Sequence, residues 1–233
     1  MRLLPENASM KFVNEKFPTC DIALLAGSAS RGEDTETSDL DIVIIEDSQR
    51  SYRESFILYG WKIEAFIHNY NSYLKQFEID RSKARPILAN MILYSKVLKD
   101  NGKLSDIRLM AKEFIENGPP PLSDEFIKAS RYFIYDLLDD FVDSKNDEEA
   151  LLTLNNISLQ LSDFILRLNG QWSGRGKGLA RALKEFDEKL YYQFFDVLNS
   201  YYKFGKKQPF IDFVYDIYKP LGGALFDGYK QNI

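Results

Sequence analysis

The chain has 233 residues, of which 45% are hydrophobic and 28% charged, with a formal net charge of -5. This length is enough for one large domain or two modest ones. The proportion of hydrophobic to charged residues excludes a largely disordered chain. The acidic excess argues against a general nucleic-acid binder, because such proteins normally carry a basic excess. The N-terminus lacks the apolar core of a signal peptide, and no apolar run reaches the ~20 residues that span a bilayer. We therefore expect a cytoplasmic protein with no membrane contact.

The chain contains one cysteine, Cys20, and one histidine, His68. No intrachain disulfide can form, and the usual ligand sets of a zinc site are lacking. Any metal is therefore expected to be a hard cation held by carboxylates, with Mg²⁺ first and Mn²⁺ second.

The first 70 residues predict a short helix followed by a small mixed sheet. A helix over about 7–17 is predicted from apolar residues at helical spacing, Met10, Val13 and Phe17. Extended segments are predicted at 21–26, 40–45, 55–59 and 61–68. The first two are strongly apolar, which is typical of central strands covered on both faces, and Gly60 supplies the turn between the last two.

Helical periodicity takes over beyond Tyr70 and is broken decisively at Gly118-Pro119-Pro120-Pro121, because a proline run cannot continue a helix. Further helices are predicted at about 123–143, 147–169, 178–187, 188–204 and 208–218. The apolar side of the first of these is expected to carry Phe126, Tyr132, Phe133, Leu137 and Phe141. The expected class is α+β: a small mixed-sheet domain with flanking helices over 1–110, then an all-helical bundle domain over 118–233.

Two polar segments beside the apolar strands carry the chemistry, Gly27-Ser28-Ala29-Ser30-Arg31-Gly32 and Ser38-Asp39-Leu40-Asp41-Ile42. A glycine directly after a strand lets backbone N–H groups approach an anion, and the hydroxyl of Ser28 adds a donor. Asp39 and Asp41 are two apart on a strand, so their carboxylates leave the same face. Adjacent carboxylates repel each other unless a cation lies between them. A divalent cation there would link them to the phosphates of a nucleotide.

Glu64 is the candidate third carboxylate, since it lies in the middle of an otherwise apolar extended segment. Burying an unpaired charge is costly, which favours a cation as its partner. The alternative is an acid on an edge strand that faces water beside Lys62.

The Gly-Ser pair, the Arg-Gly that follows it, the Ser-Asp-Leu-Asp and the later acid together resemble the nucleotidyltransferase superfamily that includes DNA polymerase beta. The resemblance covers residues 22–68 and is closest to small bacterial enzymes with an added helical domain, such as the aminoglycoside and lincosamide nucleotidyltransferases. It implies that Asp39, Asp41 and Glu64 hold two Mg²⁺ ions. It also implies that Gly27 and Ser28 bind the phosphates of the nucleotide, and that the helical domain binds the other substrate.

The implied reaction transfers a nucleoside monophosphate, AMP from ATP by analogy, to a hydroxyl of an unidentified small-molecule acceptor such as an antibiotic. One alternative is an adenylyltransferase that modifies a protein side chain, as in the toxin-antitoxin branch of the superfamily. Another is a non-catalytic protein that binds a nucleotide or a partner, although the presence of all three acids argues against it. The sequence leaves open whether the chain is a monomer or a homodimer.

Three further sites each keep two interpretations. Arg31 either meets the triphosphate or packs structurally. Arg175 and Lys177, in the glycine-rich segment 172–178, either contact the triphosphate or an anionic acceptor, or belong to an ordinary surface loop. His68 is interpreted as a residue at a strand end rather than as a general base.

Overall fold

The computed structural model describes residues 2–231, which divide into two compact units. The first unit ends at Gly118 and the second begins at Pro119. In chain order, the first unit contains α1 (Pro5–Lys16), β1 (Ile22–Ala26), β2 (Leu40–Ile45), β3 (Tyr52–Leu58), β4 (Trp61–His68), α2 (Ser72–Ser82), α3 (Ile87–Leu93), β5 (Lys96–Asp100) and α4 (Leu104–Glu116). The second unit contains α5 (Asp124–Asp143), α6 (Asp147–Leu168), α7 (Lys177–Phe186), α8 (Glu188–Phe204) and α9 (Gln208–Tyr218). The predicted α+β class is confirmed.

The sheet of the first unit has the strand order β3-β4-β2-β1-β5. β2 pairs in parallel with β4, and the other neighbouring strands are antiparallel. β1 is buried along its whole length, as its continuous apolar sequence predicts for an interior strand. Helix α1 contacts β1 and β2, and α3 also contacts β1. Ala23 and Leu25 share a core cluster with Phe12 of α1, so the alternating residues Ile22 and Leu24 face the opposite side of the sheet.

Helix α1 begins two residues earlier than predicted, because Pro5 occupies its first turn, where a missing N–H costs nothing. Met10, one of the apolar residues whose spacing predicts this helix, is 40% exposed. Phe12 fills the core instead, with its ring 5.7 Å from that of Phe17 and 5.0 Å from that of Phe56.

Strand β5 lies where the sequence predicts helical periodicity, and that expectation is wrong for these five residues. The segment does not alternate between apolar and polar residues, so its strand character comes from antiparallel pairing with β1. It lies at an edge of the sheet, where its two lysines, Lys96 and Lys99, discourage further strand pairing. Lys99 also donates a hydrogen bond to the carbonyl oxygen of Pro18, at 2.8 Å.

Three helices of the second unit, α5, α6 and α8, begin at residues whose side chains cap them. Ser123 accepts a hydrogen bond from the Phe126 N–H at the start of α5, and Asn146 accepts one from the Glu149 N–H at the start of α6. Asp187 caps α8 in the same way. Each such cap stabilises a helix by about 1 kcal/mol. None of the described helices is long and apolar enough to cross a membrane.

The predicted apolar side of α5 is wrong in part. The side chains that enter the core are Ile134, Leu138 and Phe141, which follow the helical spacing of four and three residues. Phe126 and Phe133 are 38% and 44% exposed. Aromatic content alone therefore misassigned part of the buried face of α5, which follows the helical spacing of Ile134, Leu138 and Phe141.

Candidate active site

The turn after β1 places a glycine in a backbone conformation that L side chains rarely adopt. Gly27 has a φ of +71° and leads into a short 3₁₀ turn, Ala29–Arg31. Its carbonyl oxygen accepts hydrogen bonds from the Ser30 hydroxyl at 2.9 Å and from Nη1 of Arg31 at 3.0 Å. The backbone carbonyl of Ser28 accepts from the N–H groups of Arg31 and Glu33. These bonds fix the geometry of the turn.

Gly27 also lies against the carboxylate of Asp41, across the antiparallel pairing of β1 and β2. Ala26 is the register partner of Asp41, which brings the Asp41 side chain to the end of β1. A β-carbon at Gly27 would lie 2.2 Å from Oδ2 of Asp41, far inside van der Waals contact. The glycine is therefore needed both for its φ and for the room that the carboxylate takes.

Three carboxylates converge beside this turn. Asp39 immediately precedes β2, Asp41 lies in β2, and Glu64 is its register partner in the parallel strand β4. All three side chains are partly buried, and each offers an oxygen within 4.8 Å of the others. The alternation of β2 and β4 explains this arrangement, because Leu40 and Ile63 point into the core while Asp41 and Glu64 point to the opposite face.

Arg53 of β3 forms an ion pair with Glu64, which sequence reasoning missed. Its guanidinium also lies over the ring of Phe66, 4.9 Å from the centroid. The predicted hairpin turn could have indicated this contact. The turn at 59–60 pairs Leu58 with Trp61, and the same register places Arg53 opposite Phe66. Arg53 is then a diagonal neighbour of Glu64 on the same face of the sheet. Since the Arg53 side chain is 55% exposed, this pair contributes only about 0–1 kcal/mol and can yield to a stronger cation.

Arg31 is held by its own loop. Beside the bond to Gly27, its Nε lies 3.0 Å and its Nη2 2.9 Å from Oε2 of Glu33. In this arrangement the guanidinium braces the turn after β1, and a contact with a triphosphate stays a prediction.

His68 lies at the end of β4, beside Ile45 of β2, and its Nδ1 is 3.2 Å from the hydroxyl of Ser72. Burial lowers the pKa of the His68 imidazole below its ordinary value, because the charged form loses hydration. The unfolded chain therefore binds more protons than the folded one in the interval between the lowered pKa and about 6.5. His68 contributes stability that is fully present above this interval and is lost as the pH falls through it.

We expect the single histidine resonance to titrate with a midpoint below 6.5 in an NMR experiment. In urea unfolding, the wild type should lose more stability between pH 7.5 and pH 5.5 than His68→Gln, which keeps a hydrogen-bonding group beside Ser72. A midpoint above 6.5, or equal losses in the two proteins, would contradict this prediction.

In the second unit, Arg175 lies in the loop before α7, and Lys177 is the first residue of that helix. Gly176 has a φ of +52°, and a β-carbon at Gly174 would lie 2.5 Å from the backbone nitrogen of Leu179. The glycines thus allow the loop to fold tightly onto the first turn of α7. Both basic side chains are exposed, as either interpretation of the loop requires.

Comparison with known proteins gives the class of this fold and site. Residues 9–101 match the nucleotidyltransferase domain family. The first unit therefore contains a nucleotidyltransferase domain. This match confirms the superfamily that the sequence predicts for residues 22–68, and it supports the prediction of an enzyme of this class.

No curated protein matches the chain significantly. Among the solved structures, a nucleotidyltransferase-like protein from Exiguobacterium sibiricum 255-15 is similar, with 12% sequence identity and a TM-score of 0.42. The alignment covers 81% of this chain and 66% of that chain.

Proposed function

We propose that the protein transfers a nucleoside monophosphate from an NTP, with ATP as the expected donor, to a hydroxyl group of an acceptor in a metal-dependent reaction. The observation that carries the proposal is the convergence of Asp39, Asp41 and Glu64 beside the Gly27 turn, within a nucleotidyltransferase domain. Membership of the domain in the superfamily supports the class of reaction, and the three carboxylates are suitable ligands for the metal ions that this reaction requires.

The three carboxylates fit a hard divalent cation. Carboxylate oxygens are the preferred ligands of Mg²⁺, and two oxygens on opposite sides of one ion lie about 4.2 Å apart. The observed limit of 4.8 Å differs from that value by less than about 1 Å, so small side-chain movements would suffice. In the proposed site, Asp39 and Asp41 would hold both ions, and Glu64 would complete the ligands of the ion that activates the acceptor hydroxyl.

Bound Mg²⁺ would neutralise charge on the phosphate oxygens and lower the pKa of the acceptor hydroxyl. The backbone N–H groups around Gly27 and the hydroxyl of Ser28 hold the phosphates in the proposed complex, since they follow β1 directly beside Asp41. Arg31 keeps this turn in shape through its bond to the Gly27 carbonyl. Arg53, which forms an ion pair with Glu64 in this structure, would have to release this carboxylate for it to serve as a metal ligand.

We also propose that the second unit binds the acceptor. Its helices α6, α7 and α8 enclose a mostly apolar cavity of about 230 Å³, bordered by Leu179, Leu183, Phe194 and Tyr202 among others. Pockets for drug-sized ligands usually measure about 300–1,000 Å³, so this cavity suits a small molecule or one ring of a larger one. The cavity therefore favours a small-molecule acceptor, such as an antibiotic, over a protein side chain as the acceptor in this proposal.

Thermal unfolding with each of the four NTPs, with and without Mg²⁺, tests the proposal. A ligand at 100 times its dissociation constant stabilises the native state by about 2.7 kcal/mol, which raises the melting temperature by about 5–10 °C. We expect a Mg²⁺-dependent shift that is largest for one NTP and lost in Asp39→Asn/Asp41→Asn. Lys177→Ala and Arg175→Ala belong in this assay and in the turnover assay below. Unchanged NTP affinity and unchanged turnover in both variants would refute a contact of these residues with the triphosphate or an anionic acceptor.

Pyrophosphate release with candidate acceptors then separates the alternatives. A nucleotide-dependent shift without turnover for any acceptor class would favour the non-catalytic alternative. Turnover that requires a protein acceptor would favour the protein-modifying one. The absence of a shift with every nucleotide would count against the proposed site.

A further inference from the structure

The N-terminal segment lies across the turn of the β3–β4 hairpin. The Leu3 N–H donates a hydrogen bond to the Tyr59 carbonyl oxygen at 3.1 Å, and the indole N–H of Trp61 donates to the Leu3 carbonyl oxygen at 2.8 Å. The guanidinium of Arg2 lies over the Trp61 ring, 3.4 Å from its centroid. Planar stacking of this kind lets arginine pack on an aromatic ring and still donate hydrogen bonds at its edges.

The hairpin turn is shaped for this contact. Gly60 has a φ of +80°, and a β-carbon there would lie 2.6 Å from the Cα of Arg2. Only glycine lets the two backbones approach so closely. The position of Arg2 is therefore fixed by the backbone of the turn as well as by its own side chain.

The other edge of the Arg2 guanidinium holds the loop that leads into β2. Its Nη2 donates to the carbonyl oxygen of Thr35 at 3.0 Å and lies 3.5 Å from that of Ser38. Thr35 and Ser38 are themselves joined, since the Thr35 N–H donates to the Ser38 hydroxyl at 2.9 Å. Ser38 directly precedes Asp39. One guanidinium thus contacts both the segment that leads to Asp39 and the start of β4, the strand that carries Glu64.

We propose that Arg2 is a positioning residue, which sets the location of Asp39 relative to Glu64 and so the affinity of the site for a divalent cation. This role rests on the proposed function. The residues from Glu33 to Asp39 contain no helix or strand, so contacts from outside the loop must limit its movement. Arg2 supplies two such contacts, to the carbonyl oxygens of Thr35 and Ser38, while its guanidinium is stacked on Trp61 at the start of β4.

The test compares wild type with Arg2→Ala and Arg2→Lys, and Arg50→Ala is the matched control. Arg50 is exposed in the same unit, and among the described residues its guanidinium has no hydrogen-bond or ion-pair partner. The probe is Mn²⁺ alone, with free Mn²⁺ counted by electron paramagnetic resonance. Hydrogen exchange of the 33–39 peptide provides a second readout that needs no metal.

We expect Mn²⁺ affinity to fall about tenfold in Arg2→Ala, with faster exchange in the 33–39 peptide. Arg2→Lys should recover part of both, because lysine keeps the charge but lacks the planar fork. Arg50→Ala should stay near wild type, which excludes a simple effect of net charge. Arg2→Ala with wild-type affinity or wild-type exchange would overturn this role alone. Failure of the wild type to bind Mn²⁺ would refute the proposed metal site and this role together.

Discussion

Asp39→Asn is expected to abolish nucleotidyl transfer while leaving the metal-free protein at least as stable as the wild type. The activity should fall by about 10³-fold or more, because in the proposed site Asp39 would hold both ions and support several kcal/mol of charge stabilisation. Without metal, three carboxylates within 4.8 Å repel one another, so removing one charge relieves up to about 1 kcal/mol. The melting temperature should therefore stay constant or rise by about 2–4 °C.

Asp34→Asn is the matched control, since Asp34 lies in the same loop but outside the carboxylate cluster. It should keep both activity and stability. Turnover in the proposed assay and thermal unfolding without metal are the two measurements. An Asp39→Asn protein that is active, or that melts well below the wild type, would show that this carboxylate serves the fold rather than the reaction.

Gly27→Ala is expected to lower both stability and activity. An alanine at a φ of +71° is strained by about 1–2 kcal/mol, which corresponds to a loss of about 2–8 °C in melting temperature. The new methyl group would also push the Asp41 carboxylate away from its place, because the β-carbon falls 2.2 Å from Oδ2. A displacement of about 1 Å at a reacting site can cost about 10²-fold in rate.

Gly32→Ala separates these two effects. Gly32 has a φ of +70°, and a β-carbon there would meet no atom within 4 Å. Its alanine variant should therefore show the loss in melting temperature without the loss in turnover. Equal activities in Gly27→Ala and Gly32→Ala would mean that the contact between Gly27 and Asp41 has no consequence for the reaction.

The sequence predicts the strands that position the site better than it predicts the contacts around it. β1, β2 and β4 are found at the predicted segments, since strongly apolar or alternating residues define a strand without help from its neighbours. β5 is missed because its strand character depends on pairing with β1. Such pairing joins residues far apart in the chain, and no local pattern records it.

The same distinction applies to the candidate site. The Gly-Ser turn and the Asp-x-Asp pattern are local, and both were identified from spacing alone. The partners of Glu64 and of the loop before Asp39 come from elsewhere: Arg53 from the neighbouring strand and Arg2 from the N-terminus. Residue type and spacing indicate the candidate groups for the chemistry, whereas the groups that contact them become visible only when the strands are paired.

The parallel pairing of β2 with β4 has a consequence for the order in which the protein assembles. The β3–β4 hairpin is a local structure that can form within microseconds. β2 and β4 are neighbours in the sheet although β3 lies between them in the sequence, so their pairing is non-local. Asp41 and Glu64 are neighbours through that non-local contact. A chain in which only the β3–β4 hairpin has formed would therefore lack the proposed metal site, which requires the pairing of β2 with β4.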